Sequence, residues 1–185
     1  QPGLNATPAW SPDGQWLVFA MSASGGTNLH LIPKGGGTPK PLTTGPAISL
    51  SPSFSPNGRQ IVFNSDRGGP PQIYIMDVDG TNLRRLTFQG TYNSSPRWSP
   101  RGERIAFMCR MGGNQICLIT PDGTELQQLT TVGNNEDPTW SPDGRHIAFT
   151  STRSGLRDIF VMRADGTDQL RLTNNGRENY LPDWS

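Results

Sequence analysis

The sequence is poor in the features that mark several classes of protein. Only 32% of its 185 residues are hydrophobic, and no apolar run approaches the ~18 residues of a transmembrane helix. We therefore expect no insertion into a membrane. The net charge is +1 and the arginines are spread along the chain, which does not favour electrostatic binding to nucleic acid. No signal peptide begins at Gln1, so the chain is either a mature protein or a piece of a longer one.

Signals of enzymatic chemistry are also scarce. His30 and His146 are the only histidines, and the serines have no histidine at a consistent offset. A Gly-x-Ser-x-Gly elbow, which would indicate a hydrolase, is absent. Residues 77–82 begin like a calcium loop, but its twelfth position is Phe88 and not glutamate, which favours a tight hairpin turn. We expect no enzymatic activity, no cofactor and no metal.

One short element is repeated along the chain. The order proline, any residue, aromatic and serine recurs with its aromatic residue at Trp10, Phe54, Trp98, Trp140 and Trp184, at spacings of 44, 44, 42 and 44. In the first four copies a second proline and a glycine follow, which suit a hairpin turn. A fixed period of this length predicts a repeat architecture.

Each period carries four candidate strands, and no segment has the apolar spacing of a helix. In the second period the strands are residues 50–55, 60–65, 72–77 and 82–87, and the third has apolar side chains on both faces. We therefore predict an all-β fold, a β-propeller of four-stranded antiparallel blades with about four blades present. The predicted repeats are 6–49, 50–93, 94–135 and 136–179, with a partial repeat at 180–185, and the repeated aromatic residues should fill the seams between blades.

The repeat resembles the propeller of a known family. The pattern Pro-x-Trp-Ser-Pro-Asp-Gly, followed by Ile-Ala-Phe-x-Ser, Ile-Tyr-x-Met-Asp-x-Asp-Gly and Arg-Leu-Thr, is similar to the repeats of the TolB family. The resemblance covers the whole chain and is most specific over residues 69–96. TolB proteins are periplasmic components of the bacterial Tol-Pal system, with an α/β domain and a six-bladed propeller. The resemblance implies a periplasmic protein that corresponds to the last four blades of such a propeller, or a short relative.

The two cysteines lie on neighbouring strands of the third period. Cys109 and Cys117 correspond to Ser65 and Tyr74 of the second period. A cross-strand disulfide would suit an oxidising periplasm, whereas two buried free thiols would suit the hydrophobic surroundings equally well. Both alternatives stay open from the sequence.

The segments between the fourth strand of one period and the first strand of the next are candidates for binding. These segments, 43–51, 87–95, 130–137 and 173–181, vary in sequence while the strands repeat. We expect them to emerge together around the mouth of the central channel, where exposed loops on a rigid scaffold carry binding residues. The candidates there are Leu50, Tyr92, Asn93, Asn135, Glu136, Arg177 and Tyr180. The resemblance implies that a Pal-like lipoprotein contacts Leu4, Thr7 and Leu50.

These features together predict a non-enzymatic scaffold that binds Pal and other Tol proteins at the channel mouth. The alternative is a propeller that gates substrate entry in a peptidase whose active site lies elsewhere. Four blades with seams shaped for six would leave two apolar end faces. We therefore expect an open arc that self-associates, covered by another copy or joined into a larger ring.

Overall fold

The protein is built from β-strands. The computed structural model describes residues 5–23 and 25–184, and every regular element in these ranges is a strand. The strands form four antiparallel sheets of four, each with its strands side by side in chain order. The predicted all-β propeller of four-stranded blades is therefore confirmed, and each sheet is one blade.

The four blades have closely matching strand lengths. Blade one contains β1 (Asn5–Trp10), β2 (Trp16–Ala23), β3 (Gly26–Pro33) and β4 (Lys40–Pro41). Blade two contains β5 (Ser49–Phe54), β6 (Gln60–Ser65), β7 (Gln72–Asp77) and β8 (Arg84–Arg85). Blade three contains β9 (Asn93–Trp98), β10 (Ile105–Arg110), β11 (Asn114–Ile119) and β12 (Gln127–Gln128). Blade four contains β13 (Asn135–Trp140), β14 (His146–Ser151), β15 (Asp158–Arg163) and β16 (Leu170–Arg171).

The outer strand of each blade is shorter than predicted. In blade two, residues 82–87 were expected to pair, but only Arg84 and Arg85 do so, opposite Ile75 and Tyr74. Asn82 has a φ of 52° and belongs to the preceding turn. Beyond Arg85 the chain leaves the strand and turns inward, so the paired length falls to two residues.

The inner strand of each blade is bent at one repeated position. The residue before the repeated proline has a left-handed backbone, with φ between 47° and 53° at Thr7, Ser51, Ser95 and Asp137. The pairing with strand two shifts register at this point in every blade. Because proline cannot donate a ladder hydrogen bond, the bulge removes it from the pairing, and the inner strand is an edge where this is tolerated.

The serine after each aromatic residue stabilises the turn that follows it. The Ser11 hydroxyl donates to an Asp13 carboxylate oxygen at 2.5 Å and accepts from the backbone N–H of Trp16 at 2.9 Å. Ser141 makes the same two bonds in blade four, to Asp143 and from His146. These serines are turn residues, as the sequence indicates, and their hydroxyls are engaged within the hairpin.

Three hydrophobic clusters join the blades, each shared by two neighbours. In every cluster the aromatic residue of an inner strand is buried together with the leucine that follows the outer strand of the preceding blade. These residues are Phe54 with Leu42, Trp98 with Leu86, and Trp140 with Leu129. The prediction that the repeated aromatic residues fill the seams is confirmed at these three positions.

The same repeat positions are exposed at the two ends of the array. Trp10 on blade one is 57% exposed and Leu172 on blade four is 59% exposed. Residues 180–184, predicted to be a fifth inner strand, form no strand. Leu181 nevertheless has a φ of 55°, as expected for the bulge residue, so the local conformation persists without a second strand to pair with.

We predict that the chain taken alone self-associates through these end faces. The face that carries Trp10 matches the one that carries Leu172, since equivalent faces pack together in all three internal seams. Sedimentation at rising concentration should therefore show species larger than a monomer. Trp10→Lys should reduce them, and Phe88→Lys, away from both faces, should not. A strict monomer at all concentrations, with both end blades protected from hydrogen exchange, would contradict this.

Candidate protein-binding face

One edge of the blades carries all the connections from one blade to the next. In an antiparallel blade the chain leaves the outer strand and enters the next inner strand at the edge that also holds the hairpin between strands two and three. We call this edge the loop face. It comprises the blade-to-blade segments 42–48, 86–92 and 129–134, the segment 172–179 that follows blade four, and the hairpins 66–71, 111–113 and 152–157. The opposite edge, which holds the other hairpin turns, is the turn face.

Exposed apolar side chains concentrate on the loop face. Phe88 is 74% exposed, and the other large apolar side chains exposed there include Ile48, Met111, Val132 and Leu156. On the turn face the exposed side chains of this kind are fewer: Trp16, at the start of β2, Leu83, and Leu170, at the start of β16. An apolar, solvent-facing surface on a rigid scaffold is the arrangement expected of a protein-binding site.

Two arginines cover aromatic rings on the same face. The guanidinium carbon of Arg85 lies 4.9 Å from the ring centroid of Phe88, and that of Arg110 lies 5.1 Å from the ring centroid of Tyr92. A cation over an aromatic face is attracted by the ring quadrupole, and it limits the motion of both side chains. Arginine and aromatic residues held in this way are the types that dominate the energetics of protein interfaces.

The predicted binding residues differ in how far they are exposed to solvent. Arg177 and Tyr180 are exposed on or beside the loop face. Tyr92, Leu50 and Glu136 are half-buried; Leu50 packs against the first seam and Glu136 accepts a hydrogen bond from the Asn114 amide. Thr7 is exposed at the bulge of β1, where its hydroxyl accepts from the backbone N–H of Ser51 at 3.1 Å. Leu4 lies outside the described residues.

Asn93 and Asn135 are not accessible, and the expectation that they contact a partner was wrong. Both side chains have no exposed surface. The Asn93 amide donates to Gln72 at 2.7 Å and to the Gln89 carbonyl at 2.9 Å. Asn135 makes the equivalent bonds. Each asparagine begins an inner strand and anchors the loop before it, because a buried amide requires partners for its donors.

The most exposed apolar residue of the face was missed from the sequence, although a signal was present. Phe88 comes directly after the Leu-Thr pair that follows each outer strand. The other blades have Thr44, Thr131 and Asn174 at this position. A large apolar side chain where the repeat otherwise has a small polar one marks a departure from the structural pattern.

The inner strands enclose a central cavity of about 530 Å³. Its lining includes Thr7, Ser53, Arg97, Asp137 and Asp183, from all four blades and the terminal segment. Burial raises the pKa of Asp137, as does the neighbouring Glu136, while Arg97 opposes the shift. The Arg97 side chain is open to solvent at the cavity, but the cavity walls surround much of it. This partial desolvation lowers the pKa of Arg97, while the negative charges of Asp137 and Asp183 act to raise it.

The carboxylates of the turn face are used in the turns themselves. The hydroxyl of Thr120, together with the backbone N–H and hydroxyl of Thr124, lowers the pKa of Asp122 to about 2. Asp79 accepts from the backbone N–H and the hydroxyl of Thr81 in the same way. Residues 77–82 therefore contain the tight hairpin turn that the sequence favours over a calcium loop. Within the described ranges, no three His, Cys, Asp or Glu side chains are grouped as a metal site. The same ranges contain no helix long and apolar enough to cross a membrane.

The two cysteines are bonded to each other. The Cys109–Cys117 disulfide links β10 to β11 with the Cα atoms 5.9 Å apart, inside the usual range for such bridges. Both residues are buried in the seam between blades two and three. Of the two alternatives left open by the sequence, the structure contains the disulfide.

Comparison with known proteins places the chain beside one family. A family model described as the TolB beta propeller domain matches residues 1–185. The Tol-Pal system protein TolB of Geobacter sulfurreducens is 49% identical over 78 residues, which cover 42% of this chain and 18% of that protein. The crystal structure of TolB from Acinetobacter baumannii superposes with a TM-score of 0.84 at 26% identity, over 96% of this chain and 45% of that one.

A more distant likeness extends to peptidases. A puromycin-hydrolysing peptidase of Mycobacterium tuberculosis superposes with a TM-score of 0.74 at 17% identity, over 97% of this chain and 30% of that one. At this identity the likeness shows the fold alone. The chain spans less than half of the length of each of these relatives.

The raised pKa of Asp137 makes a prediction about pH and stability. A carboxyl group whose pKa is higher in the folded state destabilises the fold above that pKa, and the penalty disappears as the pH falls below the ordinary value of about 4. Asp137→Asn should therefore raise Tm at pH 7 by roughly 1–4 °C and have little effect near pH 3. The control is Asp168→Asn, since Asp168 is exposed and has the same φ of 53°. An equal gain in both variants, or a gain that persists at low pH, would contradict the electrostatic cause.

Proposed function

Because the chain belongs to the TolB beta-propeller family, we propose that it is a non-enzymatic scaffold of the Tol-Pal system that binds a Pal-like lipoprotein through its loop face. The curated relative carries the name of that system, which supports an assignment to it. The proposed location is the periplasm, and a buried disulfide is the kind of bond that persists in such an oxidising compartment.

The observation that carries this proposal is the unequal exposure of apolar side chains on the two edges of the blades. The loop face exposes Ile48, Phe88, Met111, Val132 and Leu156, none of which is needed to fill a seam. A soluble protein keeps such a patch where a partner covers it.

The chemistry of the loop face suits a folded protein partner. The arginine-covered rings of Phe88 and Tyr92 combine apolar area with a positive charge that can accept a carboxylate from the partner. Thr7 and Asp137 in the central cavity lie beside the inner ends of the loops, so a projecting segment of the partner could reach both.

A substrate-gating propeller of a peptidase is the alternative function. It is supported by likeness of fold alone to the mycobacterial peptidase, at 17% identity. The serines of the repeated element are engaged in their own turns, which supports a scaffold and not a nucleophile. We therefore retain the Tol-Pal scaffold as the proposed function.

The proposal predicts that removing the two rings of segment 86–92 weakens Pal binding. Phe88→Ala combined with Tyr92→Ala removes both rings from under their arginines, and the dissociation constant should rise by about tenfold or more. Calorimetry with purified Pal measures this. Glu136 is a poorer choice, because its carboxylate already accepts a bond from Asn114 and its loss would disturb the loop.

Leu83→Ala is the matched control, because Leu83 is an exposed apolar residue of the turn face. It should leave the affinity unchanged. Unchanged affinity in the double variant, or an equal loss in the control, would contradict binding through the loop face. Failure of the unmodified chain to bind Pal would contradict the proposed function itself.

A further inference from the structure

An arginine clamps the end of blade two at the loop face. The guanidinium carbon of Arg67 lies 5.3 Å from the ring centroids of both Phe63 and Tyr74, on adjacent strands. Its nitrogens donate to the hydroxyls of Ser65 and Ser49 at 3.2 Å. One side chain therefore links strands two and three to the first residue of the inner strand, and so fixes the segment that precedes it.

Blade four contains the same clamp two repeats later. The Arg153 guanidinium carbon lies 5.3 and 4.7 Å from the ring centroids of Phe149 and Phe160. Its nitrogens donate to Asn135, the first residue of the inner strand, at 2.9 Å and to Gln169 at 2.6 Å. Both arginines follow the last residue of strand two by two positions.

Blade three has no arginine at this position. The equivalent residue is Met111, in the hairpin 111–113, which is shorter than the hairpin 66–71 of blade two. The disulfide lies at the place where the clamp would be: Cys109 corresponds to Ser65, and Cys117 corresponds to Tyr74 in the register of strands two and three. The covalent bond thus connects the same two strands that the arginine connects elsewhere.

In blade three, the side-chain oxygen of Asn93 occupies the position that accepts from the clamp arginine in blade four. Asn93 and Asn135 are equivalent, and their amide nitrogens donate to Gln72 and Gln115 in the same way. The side-chain oxygen of Asn135 accepts from Arg153, whereas the side-chain oxygen of Asn93 is buried and has no hydrogen-bond partner among the described residues. A buried acceptor without a partner is unfavourable, and blade three therefore lacks a polar contact that the arginine provides in blade four.

The disulfide is also directly coupled to the segment 86–92. Cys109 is paired with Asn93 in the sheet. The next residue, Arg110, donates its backbone N–H to the carbonyl of Tyr92 at 2.8 Å and accepts from the N–H of Thr91 at 3.1 Å. Any movement of the hairpin after Cys109 is therefore transmitted to this segment through two backbone hydrogen bonds.

We propose that the Cys109–Cys117 disulfide replaces the arginine clamp of blades two and four, and that its reduction releases the hairpin 110–114 together with segment 86–92. A dithiol supplies the two electrons and two protons, the S–S bond becomes two thiols, and the dithiol closes to its own disulfide. Blades two and four keep their arginines and do not respond. The loop face therefore contains one clamp that depends on the redox state and two that do not.

Hydrogen exchange followed by mass spectrometry tests this in the full chain, with and without excess dithiothreitol. On reduction, the amides of 86–92 and 110–114 should exchange at least about tenfold faster. Segments 43–48 and 129–134, beside the arginine clamps, should not change. Unchanged exchange at 86–92 after reduction, or an equal increase in all four blades, would overturn the proposal. So would two free thiols in the untreated, denatured protein.

Two variants separate a clamp from a merely buried bond. Cys109→Ser with Cys117→Ser removes the bond without replacing it, and should behave like the reduced protein under all conditions. The triple variant Cys109→Ser, Cys117→Tyr and Met111→Arg rebuilds in blade three the arginine clamp of blade two. It should restore slow exchange at 86–92 and make it insensitive to dithiothreitol. If this variant is no slower than the double serine variant, the equivalence of the two clamps is wrong.

The consequence for partner binding rests on the proposed function, because segment 86–92 carries Phe88 and Tyr92. Reduction should then weaken Pal binding as well. The exchange measurement does not involve Pal, so its outcome is independent of whether Pal is the partner.

Discussion

The structure depends on one contact that repeats along the chain. In all three seams an aromatic side chain of the inner strand is buried with the leucine that ends the preceding blade. A single four-stranded blade with apolar side chains on both faces would expose both faces to water and be unstable. Each repeat is therefore stable only when its neighbours pack against it. The sequence period is therefore a packing period. Trp10 and Leu172, which lack a neighbouring blade, are exposed for the same reason.

Each blade-to-blade segment of the loop face is anchored at both ends and varies in sequence between them. Each blade-to-blade segment is held at its start by a threonine bonded to strand three, such as Thr87, and at its end by a buried residue such as Asn93. Between these anchors the side chains do not fill a seam between blades. Phe88 and Tyr92 stand in such an interval, where surface chemistry can change without loss of the fold.

The parts of the fold that could be predicted are those that repeat. Strands 60–65 and 72–77 were located from their apolar runs, and the seam role of Phe54 and Trp98 followed from their spacing. The outer strands were overestimated, because the pattern does not reveal where the chain turns inward after Arg85. The role of Asn93 was missed for a related reason: its amide donates to the side-chain oxygen of Gln72 in the preceding blade, and no local pattern encodes that contact.

The seam contact, and not the leucine itself, holds the blades together. Leu86 and Leu172 occupy the same repeat position, but Leu86 is 1% exposed and Leu172 is 59% exposed. Urea unfolding of Leu86→Ala and Leu172→Ala, at a concentration where the chain is monomeric, compares a filled seam with an open face. The account predicts a loss of about 2–5 kcal/mol for Leu86→Ala and less than about 0.5 kcal/mol for Leu172→Ala. Similar losses in the two variants would contradict it.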